Sequence, residues 1–486
     1  MAVFAVIRIY IYGIKFCYMP APKDMESAKK PLLILSVILV SISLTVPSKD
    51  PLPTPSFPEP VYNLIFFGSL ALFIINSYDR PSSLFQWMAL LTSIISYITV
   101  PLVYARQYSC ATKSLTTTMA GSFGVKMLIW LKNCVESPKT VTPFWWGLVN
   151  WRAIKPSDKD QQRKLPANPA SLERRFISFI TMWAIYVFCA QILELFPPEV
   201  PSKPYPLRVI DFIRTGKPFV SLHELLYCYF YGGALAVSMS FLYELILIHA
   251  AILFRVLSMK PKTPLNALLT PSQQASLKEW LSSLLFHAKP LFNYPILSSG
   301  PVDFWKNRWH SVCTESFSNL GGILGRRFER GTRIRKMMEV VGTFFVSAVV
   351  HEYYTISVHG KSRGEHFSFI LFHALVIIVW ENVWGMWRDL GVSERKGHNT
   401  ENEKKGREEK GAEKKMLKQV AKILGWNLVP LFTAPWFFEP YIRSEYYHCM
   451  AHLVCVKDTE ASASTYWGLI LRIMVYHIEH RFPRTN

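Results

Sequence analysis

The sequence predicts an all-α fold, a polytopic transmembrane helical bundle of about eight to ten spans. Three observations predict it. Half of the 486 residues are apolar and only 18% are charged, with positive mean hydropathy, which excludes a disordered chain and argues against an ordinary soluble enzyme. Several apolar runs approach the roughly 20 residues that carry a helix across a bilayer. The Lys and Arg residues lie mainly in the loops between those runs rather than on one amphipathic face, so the net charge of +20 reads as positive-inside bias and not as a nucleic-acid footprint.

Taken in order, Met1–Met19 is apolar but carries Arg8 and Lys15, and is either an interfacial or a first spanning segment rather than a removed signal peptide. The next spans are Pro31–Val46, Val61–Tyr78 and Leu84–Tyr104, and Gly121–Val135 is a candidate short or re-entrant helix. The basic stretch Arg152–Arg175 precedes a span over Phe176–Phe196. Phe219–Leu257 is too long for one simple crossing; Gly232-Gly233 offers a bend or a close helix contact, and Glu244 and His249 make its second half partly polar. Leu265–Lys336 is different: amphipathic, Pro-punctuated and basic, with Trp280, Trp305 and Trp309 among the charges, as suits a membrane surface. Spans over Met337–Val358, Phe367–Trp387 and Trp426–Tyr441 follow. Single crossings place the loops Arg152–Arg175, Arg255–Lys336 and Arg388–Lys422 all on the cytosolic side, while Lys23, Lys29 and Lys30 break the rule near the start. Ser393–Lys415 has mixed charge and no apolar periodicity, and is expected to be a disordered insertion. The chain thus divides into N-terminal membrane helices (1–151), a membrane core (152–392), a charged loop (393–424) and C-terminal membrane helices (425–486).

Two places carry chemistry. His351-Glu352 lies inside an otherwise apolar run, where an ionisable pair is expensive and marks a reaction centre or an ion path. About forty residues upstream stands Asp303-Phe-Trp-Lys-Asn-Arg-Trp-His310. Between them the cluster Arg326, Arg327, Arg330, Arg333, Arg335 and Lys336 can anchor the helix end or attract a polyphosphate. The eight cysteines show neither a CxxC nor paired zinc spacing, so they read as free thiols. His448, His452, His477 and His480 have the spacing of oxygenase histidine boxes but lack the further paired boxes that chemistry needs, and no metal site is expected. A proton-coupled transporter using His351 and Glu352 would call for internal repeats, which the sequence does not show.

Phe304-Trp-Lys-Asn-Arg-Trp-His310 resembles the FWxxRWH block of the wax synthase branch of the membrane-bound O-acyltransferase superfamily, and Phe345-Val-Ser-Ala-Val-Val-His-Glu352 resembles its second block. The resemblance is specific over Pro290–Trp387 and architectural elsewhere; Lys306-Asn307 stands where the block more often has Gly-Arg. It implies a multi-pass protein of the endoplasmic reticulum that transfers an acyl group from a CoA ester to a hydrophobic alcohol. Acetyl-CoA or another acyl-CoA is then a co-substrate, no cofactor is bound, and the partners are the lipid bilayer, the donor and the acceptor, with no nucleic acid. Members similar to this chain include fungal O-acetyltransferases acting on terpenoid and meroterpenoid hydroxyls; a long-chain wax ester synthase is the alternative.

The resemblance makes His351 the catalytic histidine and His310 its upstream polar partner, which other branches supply as asparagine. The residues make that intelligible. A thioester is already activated, so the protein has to deprotonate a hydroxyl and align two substrates, and an imidazole kept neutral out of water is a suitable base. His310, with Asn307, is expected to orient a substrate or the oxyanion, and Trp305, Arg308 and Trp309 to shape the pocket or meet CoA. Glu352 lies about 100° round the helix from His351 and takes a structural role, pairing with a cation or a helix neighbour. Asp303 is read as a helix cap, and Trp380, Glu381, Asn382 and Trp384 as helix packing or substrate lining.

Overall fold

The computed structural model describes residues 57–77, 80–136, 144, 172–258, 271–286, 290–310, 313–392, 401–444 and 446. The described residues form helices and no strand. In chain order these are α1 (Glu59–Asn76), α2 (Leu84–Tyr104), α3 (Cys110–Glu136), α4 (Leu172–Leu195), α5 (Tyr205–Thr215), α6 (Leu222–Ser258), α7 (Pro271–Phe286), α8 (Thr314–Gly325), α9 (Arg333–His359), α10 (Glu365–Val392) and α11 (Glu401–Arg443). Five of them, α1, α2, α4, α6 and α10, contain stretches long and apolar enough to cross a membrane, and the protein is a polytopic helical membrane protein. The expected segments Met1–Met19 and Pro31–Val46 and the histidines His448, His452, His477 and His480 lie outside the described residues.

Two aromatic clusters frame the molecule. One joins α1, α2 and α3 through Phe66, Phe73, Ile94, Tyr97, Met127 and Trp130; the other joins α4, α6 and α11 through Phe179, Tyr186, Tyr231, Phe241, Phe438 and Tyr441. Helix α9 runs between them. Its Tyr353 packs on the first cluster and donates to the Ile98 carbonyl at 2.8 Å, while Val358 belongs to the second. Helix α9, which is not among the five apolar spans, carries Ser347, His351, Glu352, Thr355 and Ser357, of which Glu352, Thr355 and Ser357 are buried within the protein.

Close contacts fix α9 in place. On one side α8 crosses it at Gly321 and Gly342, where the backbones touch; a Cβ on either glycine would run into the other helix's main chain. On the other side, α9 ends at Gly360 (φ 74°) and the chain turns through Gly364 (φ 78°), left-handed positions that suit glycine, so that α10 returns antiparallel. Glu352, 3% exposed, accepts the Phe367 N–H at 2.9 Å in the first turn of α10. It is therefore the neighbouring helix's N-terminus that Glu352 engages, where partial positive charge favours a carboxylate.

One expectation is resolved and two change. From Leu222 onward, Phe219–Leu257 falls in a single continuous helix, α6, whose Gly232 makes a close helix contact with Phe438 of α11, and its half-buried Glu244 pairs with Arg175 of α4 at 3.0 Å. Gly121–Val135 belongs to the full-length α3, whose Thr and Ser residues depress its hydropathy without breaking it. The charged insertion expected to be disordered is helical from Glu401 onward. Its Glu, Lys and Ala residues favour helix by propensity, a signal that apolar periodicity does not register.

Candidate active site

Asp303–Arg308 folds as one turn of π-helix, closed by the Trp309 N–H donating to the Phe304 carbonyl at 2.8 Å. The wider turn brings residues five apart into register, so Phe304 stacks on Trp309 (ring centroids 5.3 Å, 13° between planes) and Arg308 Nε donates to Asp303 at 2.7 Å. Asp303 is thus not a helix cap but the anchor of this turn. Burial pushes its carboxyl up, but hydrogen bonds from Arg308, Asn307 and the Ser299 N–H outweigh that and hold it below the usual carboxylate range. Arg308 also donates to the Asn293 and Tyr294 carbonyls. Arg308 and Asn307 are therefore engaged in bracing the turn, outside the lining of the cavity described next.

The turn delivers His310 to His351. Their rings lie 6.3 Å apart at 29°, and both line a cavity of about 990 Å³ together with Trp305, Trp309, Ser347 and Phe437. His351 Nδ1 sits 2.9 Å from the Ser347 carbonyl, which can only accept, so Nδ1 carries the proton and the lone pair of the neutral ring is on Nε2. The geometry offers a base of defined tautomer, with a second imidazole beside it, on the wall of this chamber.

Charge is arranged along the same chamber. Lys306, Arg326, Arg335 and Lys336 line it, and Arg335 lies sixteen residues before His351 on the same helix, about 24 Å along its axis. Arg326 is paired with Glu136 and Arg335 with Glu339, each at 2.9 Å, which holds both guanidinium groups in place. The opposite walls come from α6, through Cys228, Gly232, Gly233 and Val237, and from α11, through Pro430, Ala434, Phe437 and Phe438. At Gly233 a Cβ would meet nothing within 4 Å, so the α6 wall is open there.

Of the polar-aromatic patch on α10, Trp380 packs against Trp426 at 6.0 Å and lies close to Gly300; neither it, Glu381 nor Asn382 lines the cavity, and the side chain of Trp384 lies outside the described ones. Sequence reasoning missed three contributors. Phe437 backs His351 at 5.9 Å, His373 lines the cavity beside Trp305 at 5.3 Å, and His366 stands behind His351 at 6.2 Å. The available signal was weak: histidines spaced seven apart on an apolar helix, which indicate one face but not what it meets. Among the described residues no group of His, Cys, Asp or Glu is arranged to hold a metal ion.

No curated protein matches the chain. Residues 288–374 match the model of the membrane bound O-acyl transferase family, a match that supports a membrane acyltransferase. The matched segment contains the π-turn, His310, α8, α9 and the start of α10, and is the part of this chain that is similar to membrane-bound O-acyltransferases.

Proposed function

We propose that the protein is an acyl-CoA:alcohol O-acyltransferase in which His351 is the general base. The observation that carries this reading is the tautomer: with Nδ1–H held by the Ser347 carbonyl, Nε2 is the basic atom on a cavity wall that also carries His310. The alcohol's O–H proton passes to Nε2 as its oxygen attacks the thioester carbonyl. The C–S bond then breaks, and the departing thiolate takes the proton back from His351, leaving an ester and free CoA with no acyl-enzyme. In this reading His310 orients the alcohol or donates to the oxyanion, a contribution typically worth about 10²–10³ in rate.

The cations support a CoA ester as donor. Its pyrophosphate would lie near Lys306, Arg326, Arg335 and Lys336 while the pantetheine arm runs along α9 toward His351. Replacing Lys306 and Lys336 together by Ala is expected to raise KM for the donor about tenfold, with kcat little changed and the difference shrinking at high salt. Donor titrations at two ionic strengths check this.

For the acceptor, we favour the hydroxyl of a terpenoid or meroterpenoid-type metabolite, acetylated from acetyl-CoA in the endoplasmic reticulum membrane. The sequence resemblance supports that choice, and the cavity has room for a bulky acceptor alongside the donor's arm. Microsomes offered acetyl-CoA or palmitoyl-CoA against terpenoid and straight-chain alcohols test it by CoA release. Preference for acetyl-CoA with terpenoid alcohols is expected; preference for palmitoyl-CoA with fatty alcohols would make the protein a wax ester synthase.

A further inference from the structure

Behind His351, outside the cavity lining, the hairpin of α9 and α10 buries a second histidine with no solvent exposure, His366. Its Nε2 lies 2.8 Å from the Phe437 carbonyl, which can only accept, so Nε2 carries the ring proton. Its Nδ1, 2.7 Å from the Thr355 hydroxyl, therefore accepts. That hydroxyl has a single proton, which His366 Nδ1 shares with the His351 carbonyl 3.0 Å away. The ring stacks on Phe437 with centroids 4.2 Å apart and planes 10° apart, and meets the His351 ring edge to face. One imidazole thus ties three helices together at the residue that backs the proposed base: α9 through Thr355, α10 through its own backbone and α11 through Phe437.

The tie has a reason in the sequence of α11. Pro430, Pro435 and Pro440 each remove a backbone donor from that helix, so the stretch forming the cavity wall is weakly held by its own hydrogen bonds. A bond from another helix to the carbonyl of Phe437 supplies a constraint that the proline-interrupted helix lacks. Phe437 in turn bounds the space into which the His351 ring could rotate.

We infer that His366 is a positioning residue: it fixes Phe437 against His351, so that the base keeps the rotamer in which Nδ1 faces Ser347 and Nε2 faces the substrates. This rests on the acyl-transfer reading for its kinetic consequence, but not for its structural one. His366 touches no substrate and exchanges no proton in the reaction, because both of its nitrogens are occupied by protein groups.

The experiment compares wild type with His366→Ala, His366→Phe and His366→Gln, purified in detergent. Glutamine carries a donor and an acceptor that can replace both hydrogen bonds; phenylalanine keeps the ring stack and loses both. Expected are a 10- to 100-fold fall in kcat for Ala and Phe with donor KM within about twofold, and recovery to within about fivefold for Gln. Each variant is also treated with diethylpyrocarbonate, and carbethoxylation of the His351 peptide is followed by mass spectrometry. That rate is expected to change severalfold in Ala and Phe but not in Gln, at equal folded yield on size exclusion. Unchanged kcat and labelling in Ala and Phe would overturn the inference, as would losses that follow the folded yield or that Gln fails to repair. If wild type released no CoA with any substrate pair, the acyl-transfer reading would fail, while the labelling rates would still decide whether His366 positions His351.

Discussion

Replacing His351 by Ala is expected to lower CoA release by about 10²–10⁴-fold in microsomes that contain wild-type amounts of inserted protein. The size follows from what is lost. A thioester needs no further activation, so removing the base leaves substrate alignment intact and forfeits only the proton transfer, which is why activity falls by that factor and not to the uncatalysed rate. The side chain packs mainly against the cavity and Phe437, and the helix around it is held by Glu352, Tyr353 and Thr355, none of which the substitution touches. The variant should therefore insert and fold. His351→Gln, which retains hydrogen bonding but offers no comparable base, is expected to behave like Ala. Wild-type and variant rates, normalised to protein by immunoblot, give the ratio.

The second large effect is structural. Gly342→Leu is expected to abolish recovery of folded protein, and Gly321→Leu to do the same. At this crossing a Cβ on one helix would collide with main-chain atoms of the other, and backbone cannot rotate aside as a side chain does. Overpacking a core typically costs about 1–3 kcal/mol even when side chains can yield, and here α8 would have to leave α9. Gly68 on α1 is the control: a Cβ there meets nothing within 4 Å, so Gly68→Ala should be tolerated or slightly stabilising. Size-exclusion profiles and thermal unfolding in detergent distinguish the three. Because Arg326 stands at the end of α8 and His351 on α9, the same crossing that holds the fold also places that cation relative to the proposed base.

The spans of α1, α2, α4, α6 and α10 and the two chemical blocks were legible for a common reason: in lipid, composition itself is the constraint, and a histidine among apolar residues stands out against it. Where helices are held by protein instead of lipid, that signal fades. α3 has too many Thr and Ser residues for its length to show, and the start of α11 is a helix by propensity alone. The pairing of His351 with His310 could be read from two motifs, but not the π-turn that delivers it, since an i,i+5 register has no apolar signature. Asn307 carried a plausible role by adjacency to His310; the turn directs it to Asp303, away from the cavity. His366 was unreadable because its meaning comes from α11, seventy-one residues further along the chain.

The central claim is direct transfer by a histidine base, and a single-turnover experiment tests it most directly. Purified protein in detergent is mixed with an acyl-labelled CoA ester and an alcohol that supports CoA release, then quenched at successive times. The account predicts that label passes from donor to ester with one CoA freed per ester, that none is found on the protein, and that His351→Ala slows the step by at least a hundredfold. Label covalently bound to the protein at early times, or an unchanged rate in the variant, would contradict it.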